Sequence, residues 1–213
     1  MELTSTSISP GKPIPAEFAF AEPDPESHIR FAANRNPHLR WSGAPVATRS
    51  FAVVAVDPDV PSVGTDVNQE GRTVSLDLPR VNFYHWLLVD LPPSMSEIEA
   101  GAHSHGVTAR GKSGPDAPVG GRHGLNSYTG WFAGDAEMEG DYFGYDGPCP
   151  PWNDERLHHY TFTVYALDTE RAPVEGSFDA DELMEAMEGH VLDQASLMGT
   201  YALNPTVRGE QDL

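Results

Sequence analysis

Two aspartates flank a proline in Asp57-Pro58-Asp59, and Val60-Pro61-Ser62 follows directly. Carboxylates so placed can serve as general acid and base, ligate a metal, or orient a histidine from behind. The two prolines stiffen the segment, although an Asp-Pro turn is also a common structural device. Two histidine positions could join the pair. His85 stands in an apolar run between Tyr84 and Trp86, and His158-His159-Tyr160 opens another such run. A histidine alone in an apolar strand is usually a satisfied core residue, so His85 counts as functional only with a carboxylate beside it. Asp57 could orient an imidazole and raise its pKa. Cys149 lies in Gly147-Pro148-Cys149-Pro150-Pro151, a turn with few free N–H groups. It has no basic neighbour and no helix N-terminus in sequence, so it reads as an inert thiol. His103-Ser104-His105 could be offered as a metal pair, but a solvated loop is the simpler reading.

These residues need rigid elements behind them. Ser50-Phe51-Ala52-Val53-Val54-Ala55-Val56 is apolar on consecutive positions, as a strand covered on both faces would be. Phe83 to Val89 has the same character, and His159 to Leu167 mixes aromatics with Thr and Val, a good strand composition. Leu39-Arg40-Trp41 makes a short strand between breakers. Strands so far apart must pair through long connections, as in Greek-key sandwiches. Gly101 to Gly147 is long and Gly-rich, with Tyr128, Trp131, Phe132, Tyr142 and Phe143 to anchor it in part. Helix is expected only in the C-terminal quarter. Asp179 and Glu182 form a capping-box variant, with Phe178 and Leu183 as hydrophobic staple. Gly189 should end or kink this helix, and a short second helix should run on towards Met198 and Gly199. Helix-spaced Met184 and Met187, with Met198, read as core.

The 213 residues suit one domain spanning 1–213, and 20 Gly with 19 Pro favour short elements and tight turns over a helical bundle. A single cysteine excludes an internal disulfide or a cysteine-rich metal framework. Met1 to Thr6 lacks the basic start and apolar run of a secretory signal, and no apolar run approaches the ~18 residues of a spanning helix. A cytoplasmic protein is expected. Charge is the strongest anomaly: 32 Asp+Glu against 13 Lys+Arg give a net −19, and Lys12 and Lys112 are the only lysines. Such a surface repels nucleic acid and anionic membranes, so neither is an expected partner.

In order and spacing these motifs resemble the phosphatidylethanolamine-binding protein family, also called Raf kinase inhibitor protein-like. Asp57 to Pro61 matches its Asp-Pro-Asp-x-Pro motif, and His85 to Pro92 its His-aromatic-aliphatic strand ending in Pro. Gly147 to Pro151 followed by His158-His159-Tyr160 matches its Gly-Pro-x-Pro-Pro turn and His-x-Tyr pair. Pro37 to Gly43 resembles its strand-and-turn before the first motif. Tyr165 to Asp168, Met187 to Leu192 and Gly199-Thr200-Tyr201 are similar to the bacterial and archaeal branch. The resemblance covers roughly Ile14 to Tyr201. It implies a mainly β, antiparallel two-sheet sandwich with short C-terminal helices and a small surface pocket. The pocket positions it implies are Asp57, Asp59, His85, Gly147, Pro148, His158 and Tyr160, and it implies a cis Val60–Pro61 bond. Relatives accept phosphate-like or carboxylate anions and phospholipid head groups there, and some inhibit kinases or serine peptidases. This chain departs from the pattern at His159, where Arg is usual, at Asp90, where Asn is common, and in Gly134 to Asp141, which looks like an insertion beside the pocket mouth.

Two functions follow. The first is a binding or regulatory protein rather than an enzyme. It would need no cofactor, and its partner would be a small anionic ligand or a phosphorylated or acidic group of another protein, with homodimerisation left open. The second is a metal-dependent hydrolase using Asp57, Asp59, His85 and His158, residue types that suit zinc.

The acidic surface makes a prediction of its own, for a chain adapted to high salt. At about 0.01 M salt the Debye length is ~30 Å, beyond a ~17 Å radius of gyration, so nearly every pair of like charges repels. At ~1 M it contracts to ~3 Å. Stability margins are about 5–15 kcal/mol, so a few kcal/mol of summed repulsion matters. The melting temperature should climb steeply as KCl rises from millimolar to molar; a flat profile would show that the composition is not such an adaptation.

Overall fold

The computed structural model describes residues 1–211. Among them the chain runs through β1 (Glu2–Thr4), β2 (Ala21–Asp24), β3 (His28–Phe31), β4 (Leu39–Ser42), β5 (Ser50–Pro61), β6 (Arg80–Leu91), β7 (Glu97–Ile98) and β8 (Arg122–His123). Then come α1 (Tyr128–Trp131), β9 (His158–Leu167), α2 (Ala180–Ala186), β10 (Val191–Tyr201) and α3 (Pro205–Gln211). A turn of 3-10 helix covers Ala16–Phe18.

Strand β5 is apolar on both faces because it lies at the centre of the main sheet, ordered β10-β9-β5-β6-β8 and antiparallel throughout. Its Phe51, Val53 and Ala55 pack towards Leu39 and Trp41 of β4 and Ile98 of β7. Those two strands belong to a three-stranded sheet, β1-β4-β7. Ala52 and Val54 face the other way, onto Leu87, Val89 and Leu167, and are roofed by Phe178 and by Ala180 and Leu183 of α2. The fold is thus a mainly β, antiparallel sandwich with few short helices. Each buried large side chain contributes about 1.5–3 kcal/mol, and both faces of the central sheet are filled.

Helix α2 starts where the sequence places it. Asp179 Oδ1 accepts from the Glu182 N–H at 3.0 Å, and Glu182 Oε2 accepts from the Asp179 N–H at 3.0 Å, a complete capping box. Gly189, at φ +81°, closes the turn after it, where a side chain would be strained.

Three expectations are corrected. The stretch expected as a second helix is β10, paired with β9 from Val191 opposite Leu167 to Tyr201 opposite His158. Its solvent-side Gln194 and Ser196 alternate with Ala195 and Leu197, a period of two that suits a strand rather than a helix running on to Met198. Helix is not confined to the C-terminal quarter, since α1 and the 3-10 turn lie elsewhere. The Val60–Pro61 bond is not cis. Both residues continue β5, with Val60 opposite Val81 and Pro61 opposite Arg80, and a strand needs the extended trans link.

The segment before β2 seals β10. Gly11 and Ile14 donate backbone N–H groups to the Met198 and Thr200 carbonyls at 2.8 Å each. A Cβ on Gly199 would sit 2.6 Å from Ile14 Cγ1 and 2.9 Å from Ile8 Cγ2. Gly199→Val should therefore destabilise by ~1–3 kcal/mol through overpacking, read as a lower urea midpoint with unchanged slope.

Candidate functional site

Two irregularities in the central sheet aim the site. Between the pairs Asp57–Phe83 and Val60–Val81, β5 carries one residue more than β6. Pro58, which has no N–H to offer a ladder, falls in that bulge. The Asp57 side chain steadies the turn by accepting the Asp59 N–H at 2.8 Å. One step back, Ala55 pairs with Trp86 and Val56 with Tyr84, so β6 has the extra residue, His85. The bulge re-aims His85 towards Phe83, Tyr128 and Tyr160, while Trp86 next to it stays in the same core.

A cavity of about 170 Å³ opens in front of these bulges. Its polar lining includes Asp57, His85 and Tyr160, and its aromatic walls include Phe20, Phe83, Tyr128 and Phe132. Phe31 and Trp131, 61% and 45% exposed, bring an apolar rim to the surface. Cys149, Pro150 and Pro151 supply another stretch of wall.

The His85 ring has a defined tautomer. Its Nδ1 lies 2.8 Å from the Asp146 carbonyl oxygen, which can only accept, so the proton sits on Nδ1. The Asp146 N–H donates back to the His85 carbonyl at 3.0 Å. Nε2 is buried without a hydrogen-bond partner, and in the neutral ring it carries a lone pair. Burial lowers the His85 pKa against the opposing pull of Asp57 and Asp146, so the ring is neutral near pH 7. The Tyr160 hydroxyl is likewise buried and unpartnered, and burial together with the nearby Asp57 charge raises its pKa well above the ordinary value.

His158 behaves in the opposite way. Burial pulls its pKa down, but Nδ1 lies 2.6 Å from Asp57 Oδ2 and Nε2 3.1 Å from Asp154 Oδ2. The two carboxylates outweigh burial and push it up to about 9. Asp154 is clasped on its other side by Arg80, with Nη1 2.5 Å from Oδ2 and Nη2 3.0 Å from Oδ1.

Of the residues expected at the pocket, Asp57, His85 and Tyr160 line it, and His158 stands behind Asp57. Asp59 turns away: it accepts the His159 N–H at 3.1 Å, and His159 Nδ1 and Arg156 Nη1 at 2.8 and 3.4 Å. Gly147 and Pro148 form the backing of the wall. A Cβ on Gly147 would lie 2.1 Å from the Phe18 carbonyl oxygen, and the Pro148 carbonyl takes the Phe20 N–H at 2.9 Å. Burial pushes the Cys149 thiol up to about 12, which holds it as an unreactive thiol. Sequence reasoning missed Asp146, held by Asn34, Lys112 and Asn126 at 2.7, 2.6 and 2.9 Å. It also missed Asp154 and Arg80. The usable signals were position alone: Asp146 immediately precedes the Gly-Pro turn, and Asp154 lies four residues before His158. The expectation of a solvated His103-Ser104-His105 loop is corrected, since His103 and Ser104 are buried and only His105 is exposed. Ser104 is drawn in because its hydroxyl donates to the Asn34 carbonyl at 2.6 Å. In the Gly134–Asp141 segment, Asp135 caps the Glu137 and Met138 N–H groups at 2.9 Å each, one turn beyond the wall residue Phe132.

The site defines the chain as a β-sandwich with a small aromatic-walled cavity floored by an aspartate, a histidine and a tyrosine. The chain matches the phosphatidylethanolamine-binding protein family over residues 4–202, and it belongs to that family. It is 31% identical over 201 residues to a UPF0098 protein of Chlamydia muridarum, covering 94% of this chain and 98% of that one. It is 28% identical over 204 residues to the UPF0098 protein YbcL of Escherichia coli, covering 96% and 85%. The crystal structure of YbcL aligns with TM-score 0.66 at 26% identity over 94% of this chain and 97% of that one. That of the Chlamydia trachomatis homologue CT736 aligns with TM-score 0.61 at 28% identity, over 94% and 95%. Membership suggests a binding or regulatory role.

The raised His158 pKa has a definite sign. A folded pKa of about 9 against the ordinary 6.5 gives stability that is complete below pH 6.5 and is lost as pH rises through 9. Urea denaturation should show stability falling between about pH 7 and 9.5, with ring ¹⁵N shifts reporting His158 protonated at pH 8 and His85 neutral. A flat stability profile with a neutral His158 at pH 8 would remove the charged bridge.

Proposed function

We propose that this chain is a non-catalytic binding protein whose cavity takes a small anionic group together with a proton. The group is phosphate-like or a carboxylate, carried by a small molecule, a lipid head group or a partner protein. The observation that supports this most is the pair of buried groups without a hydrogen-bond partner in a largely aromatic cavity that Asp57 also lines, His85 Nε2 and the Tyr160 hydroxyl. Buried polar groups left unpaired are uncommon, and a ligand atom would satisfy both. Tyr160 donates as it stands. His85 donates to an anion only when Nε2 is protonated, because the Nδ1 proton is committed to Asp146. The cations close behind are already matched, His158 and Arg80 by Asp57 and Asp154. An anion therefore arrives with its own proton or draws one onto His85. The role as a kinase or peptidase inhibitor-like modulator rests on family membership, with the bound group presented by the partner.

The hydrolase reading has less support. It asks His158 for a free ring nitrogen, and both are occupied by carboxylates. Asp59 is turned to His159 and Arg156. No group of three or more His, Cys, Asp or Glu among the described residues is arranged to hold a metal ion.

Calorimetric titration with inorganic phosphate tests the proposal. Affinity should rise as pH falls from about 8 to 5.5, with a proton taken up on binding, seen as a dependence on buffer ionisation heat. A hydrogen bond to a charged group is worth about 1.5–3 kcal/mol, so His85→Ala should weaken binding ~10- to 100-fold and leave the circular dichroism intact. Binding that ignores both pH and this substitution would overturn the reading; an unfolded variant would make His85 a core residue instead.

A further inference from the structure

The walls of the cavity and its charge balance narrow the ligand class, a step that rests on the binding role just proposed. At the polar end, His85 Nε2 and the Tyr160 hydroxyl are buried without a hydrogen-bond partner. Both residues line the same cavity, with their rings 5.2 Å apart and inclined by 68°, and the charge of Asp57 bears on both. The Asp146 carbonyl holds the His85 proton on Nδ1, so this end offers one acceptor, Nε2, and one donor, the Tyr160 O–H. A neutral carboxylic acid carries the complement on a single carbon: an O–H that donates and a carbonyl oxygen that accepts.

The surrounding charges leave no place for an unpaired one. The titratable groups facing His85 are Asp57 from β5, Asp146 from the loop before β9, His158 and Tyr160 from β9, and Tyr128 from α1. Asp57 is matched by His158 at 2.6 Å, and Asp146 by Lys112 at 2.6 Å. The lining itself contains no Lys or Arg. An ionised guest would add a buried charge with no free cation to meet it, a strongly unfavourable state. The net charge of −19 would also repel it on approach. A neutral acid meets neither penalty.

The rest of the lining sets the body of the guest. Phe20, Phe83, Tyr128 and Phe132 wall the cavity, and Phe31 and Trp131 form its rim. A dry apolar cavity of about 150 Å³ holds one benzene ring, and this one measures about 170 Å³. One ring with a carboxyl group fills it and leaves no room for a peptide backbone beside the ring. Edge-to-face and offset contacts with the walls add to the burial of such a ring. We propose that the cavity binds small aromatic monocarboxylic acids in their neutral form. The acid O–H donates to His85 Nε2, the Tyr160 O–H donates to the acid carbonyl, and the ring lies against the aromatic walls.

Calorimetric titration with benzoate, acetate, inorganic phosphate and benzamide tests this. Benzoate should bind on the order of 10- to 100-fold tighter than acetate through its buried ring, and tighter than phosphate. Its apparent affinity should fall about tenfold per unit as pH rises from about 5.5 to 7.5, because only the protonated acid is bound. Benzamide presents the same donor and acceptor without ionising, so its affinity should stay constant over that range. Tyr160→Phe should weaken benzoate and benzamide alike, by about 2- to 10-fold. Ring ¹⁵N shifts of the unsubstituted protein decide the protonation even if that variant fails to fold. They should show a neutral His85 whose Nε2 accepts a hydrogen bond, and a doubly protonated ring in the complex would overturn the neutral form of the ligand. Benzoate no tighter than acetate, beside pH-dependent phosphate binding, would overturn the aromatic-acid class and leave the binding role standing. Binding of none of these ligands would remove both. N-acetylphenylalanine bound more tightly than benzoate would also overturn the small-acid class, handing the cavity to a protein C-terminus.

Discussion

His158 carries a proton between Asp57 and Asp154, and Arg80 closes the far side of Asp154. These four groups come from the exit of β5, the start of β9, the loop before it and the start of β6. Any one of them buried alone would be severely unfavourable, and removing one partner from such a pair costs about 3–5 kcal/mol. Together they sum to no net charge, which is the condition for their burial. The bridge therefore does more than link strands. It neutralises Asp57, so an aspartate can floor a cavity without dictating that the occupant be a cation.

The cavity depends on that neutrality and on two bulges that work as a pair. The extra residue in β5 lets Pro58 sit where no ladder bond is required, and the extra residue in β6 turns His85 out of the alternation. Without the second bulge, His85 and Trp86 would point to opposite faces. With it, Trp86 fills the core behind while His85 reaches the cavity. Asp146 then completes the arrangement, since its carbonyl selects the His85 tautomer and its carboxylate is immobilised by Asn34, Lys112 and Asn126. Two histidines against the same aspartate end with opposite charge states: His158 meets two carboxylates squarely, whereas His85 meets a neutral carbonyl.

Much of this was legible in the residues, and what was not has physical reasons. The consecutive apolar run of β5 announced a strand covered on both faces, and Asp179 with Glu182 announced the helix start. The motifs carried Asp57, His85 and Tyr160 to the same cavity. Asp59 belongs to the same motif as Asp57 but is turned away by the bulged strand to His159 and Arg156, and Gly147 and Pro148 serve as backing through their backbone. Val191 to Tyr201 misleads because Met187, Val191 and Met198 fit a helical spacing, while the hydrogen bonds offered by β9 decide for a strand. Asp146 and Asp154 look like ordinary loop acids until the fold buries them, because a lone acid gives no periodic signal. His103 was similarly hidden in a polar-looking tripeptide, pulled inward by backbone bonds to Asn36 that no local pattern announces.

The distribution of charge ties the interior to the surface. Only 13 Lys and Arg face 32 Asp and Glu. Of those few cations, Arg80, Lys112, Arg122 and Arg156 are drawn to buried or half-buried carboxylates, Asp154, Asp146, Asp90 and Asp59. The Asp90 pair shows why an acid suits that position here: Arg122 Nε meets it at 2.6 Å, and its other oxygen takes the Ala172 N–H at 2.8 Å. Each such pairing takes one cation and one carboxylate together out of the surface balance, so the net charge stays at −19 with fewer cations to offset it locally, and it removes a free cation that an anion could have used. The same scarcity thus shapes both properties. The surface carries a like-charge repulsion that added salt would screen, and the cavity has no Lys or Arg in its lining.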